Sequence, residues 1–346
     1  MNVNPKVEKI LNFDNSGLGS ECDATVSSRV RLARNLGGFP FPGRLNQAGR
    51  KKVMETINGA IDAAAPGKYD FIDFSLLSPH EASALMERRV VSLDFVKSPE
   101  EKELVTDVEN GLYVMVNEED HLRIQSIKPG FSIYEAYQAA SEFDDLADGG
   151  LDYAYHEDFG YLTQCPTNLG TGLRVSVMLH LPALTITRQM QSITSDLSKM
   201  GLTIRGFYGE GTEVGGDLYQ ISNNITLGMS EEQILDIVKP FAETVIGMER
   251  KGRADMSKNS GDLIADKIKR AYGIMKNAHM ISSSEFLSLY SMVRLGITYG
   301  LIQDIDCRTL DTLLVKAMPA NLSLQFEGSE KNRDISRARY VQSQII

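Results

Sequence analysis

No stretch of about 18 apolar residues occurs in this chain, and its opening residues, MNVNPKVEKILNFD, carry charges where a secretion leader needs an apolar core. These absences remove a spanning helix and a leader from the reading, and the protein is expected in the cytoplasm, away from membranes. Cysteine is scarce: Cys22, Cys165 and Cys307 are widely spaced and odd in number, which suits neither a disulfide framework nor a zinc site. Reduced thiols are expected. A basic surplus is missing too, with 36 Lys and Arg against 46 Asp and Glu and a net charge of −10. A general nucleic-acid binder needs a basic surface to neutralise phosphates, so that class is set aside, although a local basic pocket stays open. Neither GxxxxGK(S/T) nor a kinase-type GxGxxG with a downstream lysine is found. A nucleotide bound here would have to be held by arginines.

What is present is an ordinary globular composition, 42% hydrophobic and 24% charged, in a chain of 346 residues that can bury a sizeable core. Residues 1–24 read as an irregular arm. Residues 25–35, TVSSRVRLARN, alternate like a strand, with Arg29 and Arg31 on one face and Val30 and Leu32 on the other. Residues 112–127 read as a hairpin whose tip, NEED, carries Glu118 and Glu119. Residues 172–182 alternate again, with Leu173, Val175, Val177, Leu179 and Leu181 opposite Arg174. Helical spacing is expected over residues 46–65, 80–90, 132–147, 184–199 and from Ser230 onward, where the serine can cap. Residues 203–223 read as strand, Gly-rich acidic loop and strand. At residues 253–261, RADMSKNSG reads as a linker, followed by helical stripes over 263–275, 283–299 and 309–318. The expected division is residues 1–255 and a helical part, 256–346.

The residues that carry chemistry fall into three groups. Arg29, Arg31, Arg123 and Arg174 each lie on the polar face of an expected strand, and four guanidiniums on one sheet would clamp a polyphosphate. Any one of them alone is better explained as solvated or paired with a surface acid. Glu119 on the hairpin tip, with Glu210 or Glu213 in the Gly-rich loop, can grip a planar cation and accept its proton. An isolated NEED tetrapeptide is otherwise a solvated acidic turn. Cys165, opening CPTNLGTGLR, suits a thiolate beside positive charge, against the alternative of an inert core cysteine.

SSRVRLARN, NEEDHLR, CPTNLGTGLR and RGFYGEGTEVGGDLYQISN resemble, in order and spacing, the signature segments of the guanidino (phosphagen) kinases over about residues 25–250. That resemblance implies an α+β fold: a guanido-kinase catalytic domain with a central antiparallel sheet flanked by helices. It implies ATP contacts at Ser27, Ser28, Arg29, Val30 and Arg31, at Arg89 and Arg123, along Arg174, Val175, Ser176, Val177 and Met178, and over Arg205, Gly206, Phe207, Tyr208, Gly209 and Glu210. Mg²⁺ would enter with the ATP. Guanidinium contacts are implied for Glu119, Cys165 and Glu210 or Glu213, with Glu210 narrowly favoured. Tyr208 stands where the metabolite kinases have an arginine, and Arg89 where they have a histidine.

The metabolite kinases place a helical domain before the SSRVR segment, and Ser27 lies close to the start of this sequence. An open site admitting protein-bound arginine is therefore expected, as in the protein-arginine kinases, which the chain also resembles in its helical C-terminal part and in RDISRA. That segment implies an allosteric phosphoarginine pocket at Arg333, Asp334, Arg337 and Ala338. The same resemblance implies a homodimer, protein substrates, a zinc-finger activator and a Clp-type chaperone-protease in stress response. A free-arginine kinase, or more remotely a cysteine-dependent guanidino hydrolase, is the alternative.

Overall fold

Alternation in the sequence becomes an antiparallel sheet in a computed structural model, which describes residues 3–13, 19–206, 215–326 and 330–345. The strands are β1 (Thr25–Arg34), β2 (Asp70–Asp73), β3 (Glu103–Asp107), β4 (Leu112–Val116), β5 (Leu122–Pro129), β6 (Tyr155–His156), β7 (Gly160–Tyr161), β8 (Leu173–His180), β9 (Leu202–Gly206) and β10 (Leu218–Asn223). Eight of them form one sheet in the order β2-β3-β4-β5-β1-β8-β10-β9, while β6 and β7 make a small separate hairpin. Every pairing is antiparallel.

The helices are α1 (Pro5–Asn12), α2 (Gln47–Ala64), α3 (Pro79–Glu87), α4 (Leu93–Lys97), α5 (Ile133–Asp148), α6 (Pro182–Ile186), α7 (Met190–Lys199), α8 (Glu231–Asn277), α9 (Ser283–Thr298), α10 (Cys307–Lys316), α11 (Pro319–Gln325) and α12 (Glu330–Gln344). The fold is α+β, a central sheet with helices around it and a helical C-terminal region. Val30 and Leu32 of β1, Leu122 and Ile124 of β5 and Leu173, Val175, Val177 and Leu179 of β8 bury one face of the sheet against α5 and α8. The helices from α9 onward close a second core around Ile268, Phe286, Tyr290, Leu310 and Val341.

Three local expectations give way to tertiary contacts. The arm at residues 1–24 contains α1, capped by the Asn4 side chain and burying Val7 and Ile10. The helix expected over 184–199 is two, α6 and α7, separated at Arg188, whose φ is 59°. The linker expected at 253–261 is helical, because Glu249, Gly252, Arg253 and Met256 are buried along α8. Arg253 donates to Glu249 Oε1 at 2.7 Å and to the His180 carbonyl at 3.0 Å, and these contacts outweigh the polar composition. The sequence's break survives only as a non-helical Ser260 within α8.

Candidate active site

Strand register assembles the arginines. Arg31 of β1 lies directly opposite Arg174 of β8. On the other side Arg31 is opposite Gln125 and Ala33 is opposite Arg123 of β5, so Arg123 is a diagonal neighbour on the same face. Arg29 lies opposite Ser176 and donates to Gln220 Oε1 at 3.2 Å. Desolvation, then repulsion from neighbouring guanidiniums, push Arg29 and Arg31 below their usual range. Arg31 Nε is buried with no hydrogen-bond partner among the described residues. Arg29, Arg31, Arg123 and Arg174 share one face of the sheet, with Arg123 paired to Glu118, and such a row of guanidiniums suits a polyanion.

Two cavities open along this face. The smaller, about 130 Å³, is lined by Arg31, Arg123 and Arg174 together with Glu119, Asp120 and Thr167. The larger, about 160 Å³, lies over Ser27, Arg29, Arg89, Ser176, Met178 and Gln220. Val30, Val175 and Val177 are fully buried in the core on the opposite face, so backbone is all they can offer a ligand. The Ser28 hydroxyl is also engaged, donating to the Gly130 carbonyl at 2.9 Å and accepting from Ser132 N at 3.0 Å. These four residues, assigned ATP contacts by resemblance, serve the sheet with their side chains.

The acidic tip and the cysteine loop meet through Asp120. Its Oδ1 accepts from Asn35 Nδ2 at 2.6 Å and from Gln164 N at 2.8 Å, tying β1, the hairpin tip and the Cys165 segment together. His121 completes the joint. Leu36 N donates to its Nδ1 at 3.0 Å, so Nε2 carries the proton toward the Pro40 carbonyl, and burial pushes its pKa down to about 4. Gly172 then lets the cysteine loop pass against β1. Its φ is +65°, and a Cβ there would stand 2.6 Å from the Ala33 carbonyl oxygen.

At the cavity rim, Glu119 is exposed as a residue, yet its carboxyl is raised above its ordinary pKa. Desolvation leads, with Asp120 and Glu118 adding to it and Arg123 and a hydrogen bond from Cys165 opposing. Cys165 Sγ lies 3.0 Å from Thr167 Oγ1. Glu118 is no solvated turn residue: its side chain is 5% exposed and accepts from Arg123 Nη1 at 2.7 Å and Ser92 Oγ at 2.6 Å. Phe207, Tyr208, Gly209, Glu210 and Glu213 lie outside the described residues, whereas Arg205 and Gly206 close β9, with Arg205 opposite Gln220.

Residues 50–252 match the family model of the ATP:guanido phosphotransferase C-terminal catalytic domain, and residues 261–346 that of the protein-arginine kinase McsB C-terminal domain. The protein-arginine kinase of Caldanaerobacter subterraneus subsp. tengcongensis is 42% identical over 329 residues, covering 93% of this chain and 97% of its own. That of Desulforamulus reducens is 42% identical over 334 residues, covering 94% and 93%. The chain belongs to the protein-arginine kinases. Its fold is also that of a taurocyamine kinase from Schistosoma mansoni with bound transition-state analogue components (28% identity, TM-score 0.61, 68% of this chain and 34% of that one). A lombricine kinase is similar (25% identity, TM-score 0.58, 70% and 71%).

For this protein-arginine kinase, the roles of three residues are not visible in the sequence. Glu118 and Asp120 stand in the quoted NEEDHLR, but nothing local separates a carboxylate that anchors the arginine row from one that is solvated. Arg34 is the other kind of omission. Only 1% exposed, it pairs with Asp144 at 2.6 Å, donates to the Thr171 carbonyl at 2.8 Å and stacks 3.6 Å from the Tyr161 ring centre.

RDISRA lies on α12, and it is not a solvated face. Arg337 is 1% exposed and donates to the carbonyls of Ala317 and Ile281 at 2.8 and 2.7 Å, to Ser283 Oγ at 2.8 Å and to Asp334 Oδ1 at 2.5 Å. Ala338 is buried, and Arg333 is half-buried.

The charge stress on Arg31 has a measurable consequence. A guanidinium depressed by its folded surroundings costs stability at neutral pH, so Arg31→Met is expected to raise the melting temperature of the ligand-free protein. The same change should weaken ATP binding by about tenfold or more, the loss of a charge-assisted hydrogen bond. Calorimetry and thermal melting on one preparation check both signs.

Proposed function

We propose that this chain transfers the γ-phosphoryl group of ATP to the guanidinium of arginine side chains in other proteins. The observation that carries this reading is one cavity lined both by three arginines and by Glu119. Arg31, Arg123 and Arg174 bind the phosphates and offset the charge that builds on the transferring group. Glu119, with Glu210 or Glu213, holds the planar guanidinium. A guanidinium nitrogen attacks the γ-phosphorus, the N–P bond forms, the bond to the β,γ-bridging oxygen breaks, and ADP departs with that electron pair. The nitrogen's proton passes to the Glu119 carboxylate, while Cys165 orients the acceptor without bonding to it. Mg²⁺ comes with ATP as part of the substrate and offsets phosphate charge.

The C-terminal region, taken as 256–346 after a catalytic part of 1–255, is read as carrying a phosphoarginine pocket at Arg333, Asp334, Arg337 and Ala338. The backbone bonding of Arg337 to Ala317 and Ile281 supports a shaping role for it within that pocket. A homodimer acting in the cytoplasm with a zinc-finger activator and a Clp-type chaperone-protease is the cellular setting we propose on resemblance.

The test is incubation with Mg-ATP and casein, in parallel with free L-arginine, followed by mass spectrometry under non-acidic handling because the N–P bond is acid-labile. Phosphoarginine on casein is expected. Phosphorylation of free arginine alone would make it a metabolite kinase, and ATP-independent citrulline a hydrolase.

A further inference from the structure

The larger cavity has a wall that the catalytic strands do not supply. Besides Arg29, Arg89, Ser176 and Met178, it is lined by Asp311, Thr312, Leu314, Val315 and Lys316, all on α10. This helix lies within residues 261–346, beyond the 50–252 matched by the catalytic family domain. Its face here is mixed: Leu314 is buried, whereas Val315 and Lys316 are half-buried and keep surface toward solvent or a ligand.

One set of bonds ties α10 to the entry of β1, and a second ties the following helix, α11, to the end of α3. Arg294 of α9, with no side-chain exposure, donates to Asp311 Oδ1 at 2.9 Å and Oδ2 at 3.1 Å. The same guanidinium donates to the carbonyls of Cys22, Asp23 and Thr25 at 2.9, 3.0 and 2.9 Å, at the entry to the strand that carries Ser27 and Arg29. Tyr290 Oη donates to Asp311 Oδ1 at 2.5 Å. In the second set, Glu87 of α3 accepts from Ala320 N and Asn321 N of α11 at 2.8 and 2.9 Å, and Arg88 Nε donates to Asn321 Oδ1 at 3.2 Å. Arg89, next in the chain, lines the cavity.

The shape of the site follows from strand register. Arg29 and Ser176 line the larger cavity, and two residues along the same face of the same strands Arg31 and Arg174 line the smaller. With the phosphates at Arg31, Arg123 and Arg174, the base and ribose have the larger cavity to occupy, whose walls also include Ile10, Val26 and Tyr113. A flat heterocycle buries its faces against apolar walls of this kind and takes its orientation from a few polar groups at the edge.

We infer that α10 forms a wall of the nucleotide-base subsite, so that the C-terminal helices contribute binding surface for ATP, with Val315 and Lys316 as residues that set base affinity. This rests on the nucleotide reading of the arginine groove proposed above. It also means that a displacement of α10 relative to β1 alters the ATP site directly.

Photolabelling of the wild-type full chain with 2-azido-ADP and with 8-azido-ADP, which place the reactive group on different positions of the purine ring, tests it without a variant. Trypsin cuts after Arg308 and Lys316, releasing residues 309–316 as one peptide. ADP-competed label on that peptide is expected from at least one reagent. Competed label confined to peptides of β1, β8 and β10 would overturn the inference while leaving the nucleotide reading intact. No competed label anywhere, together with unchanged ADP binding by Arg31→Met, would overturn both.

Val315→Trp adds a second readout. Overfilling the wall should raise the Kd for ADP roughly tenfold to a hundredfold. Inorganic tripolyphosphate, which needs only the arginines, should bind as to wild type. ADP binding unchanged in a variant that melts like wild type would overturn the proposal. If the variant fails to fold, the photolabelling result decides.

Discussion

Glu119→Gln is expected to lower the rate of phosphoarginine formation by about 10²–10⁴-fold, the range for loss of a positioned general base, with ATP affinity and folding retained. Glutamine keeps the size and the hydrogen-bonding oxygen but cannot take the guanidinium's proton. The carboxyl's environment sets a pH signature. Desolvation, Asp120 and Glu118 raise its pKa, so the active, ionised form is lost as pH falls through a value above that of an ordinary glutamate. The acidic limb of the rate profile therefore lies above the ordinary range near pH 4.3 and disappears in the variant. Linkage gives a stability sign as well. A carboxyl raised on folding binds its proton more tightly in the folded state, so it costs stability above that pKa, and the neutral glutamine should melt no lower than wild type at pH 7. A variant retaining more than about a tenth of the wild-type rate would move the base to the Gly-rich loop at Glu210 or Glu213.

Arg34→Ala is expected to cost about 3–5 kcal/mol of stability, because it leaves Asp144 buried without its cation. Arg34 belongs to the same SSRVRLAR segment as Arg29 and Arg31, but alternation turns it to the core side with Val30 and Leu32. There its Nε and Nη2 both reach Asp144 Oδ2, at 3.0 and 2.6 Å, and Nη1 holds the Thr171 carbonyl of the cysteine loop. Its pKa is raised: desolvation opposes the charge, and Asp144, Tyr161 and Glu231 overcome it. The midpoint of urea unfolding reads the loss directly, and a change below about 1 kcal/mol would mean the pair is as dispensable as a surface one. Arg31→Met and Arg34→Ala thus lie three residues apart on one strand with opposite expected effects on the ligand-free protein.

The catalytic strands were legible because their signal is local. Side chains alternate across a strand, so the spacing of Arg29, Arg31, Arg123 and Arg174 against Val30, Leu32, Ile124 and Val175 already assigns faces. The contacts that local periodicity could not show are those whose partners are distant in sequence. Glu118 meets Ser92, Arg337 meets Ala317 and Ile281, and the polar stretch within α8 is held helical by contacts from Arg253 to His180 and Asp23.

By itself, then, the sequence determined the chemistry: which residues bear the charges, which strand faces present them, and the membership of the guanidino kinases that those segments announce. Tertiary structure alone decided which charges are neutralised, which cavity each enters and that α10 walls one of them. The physical reason is that strand and helix periodicity is written by neighbours in the chain, whereas desolvation and ion pairing are set by whatever the fold brings within a few ångströms.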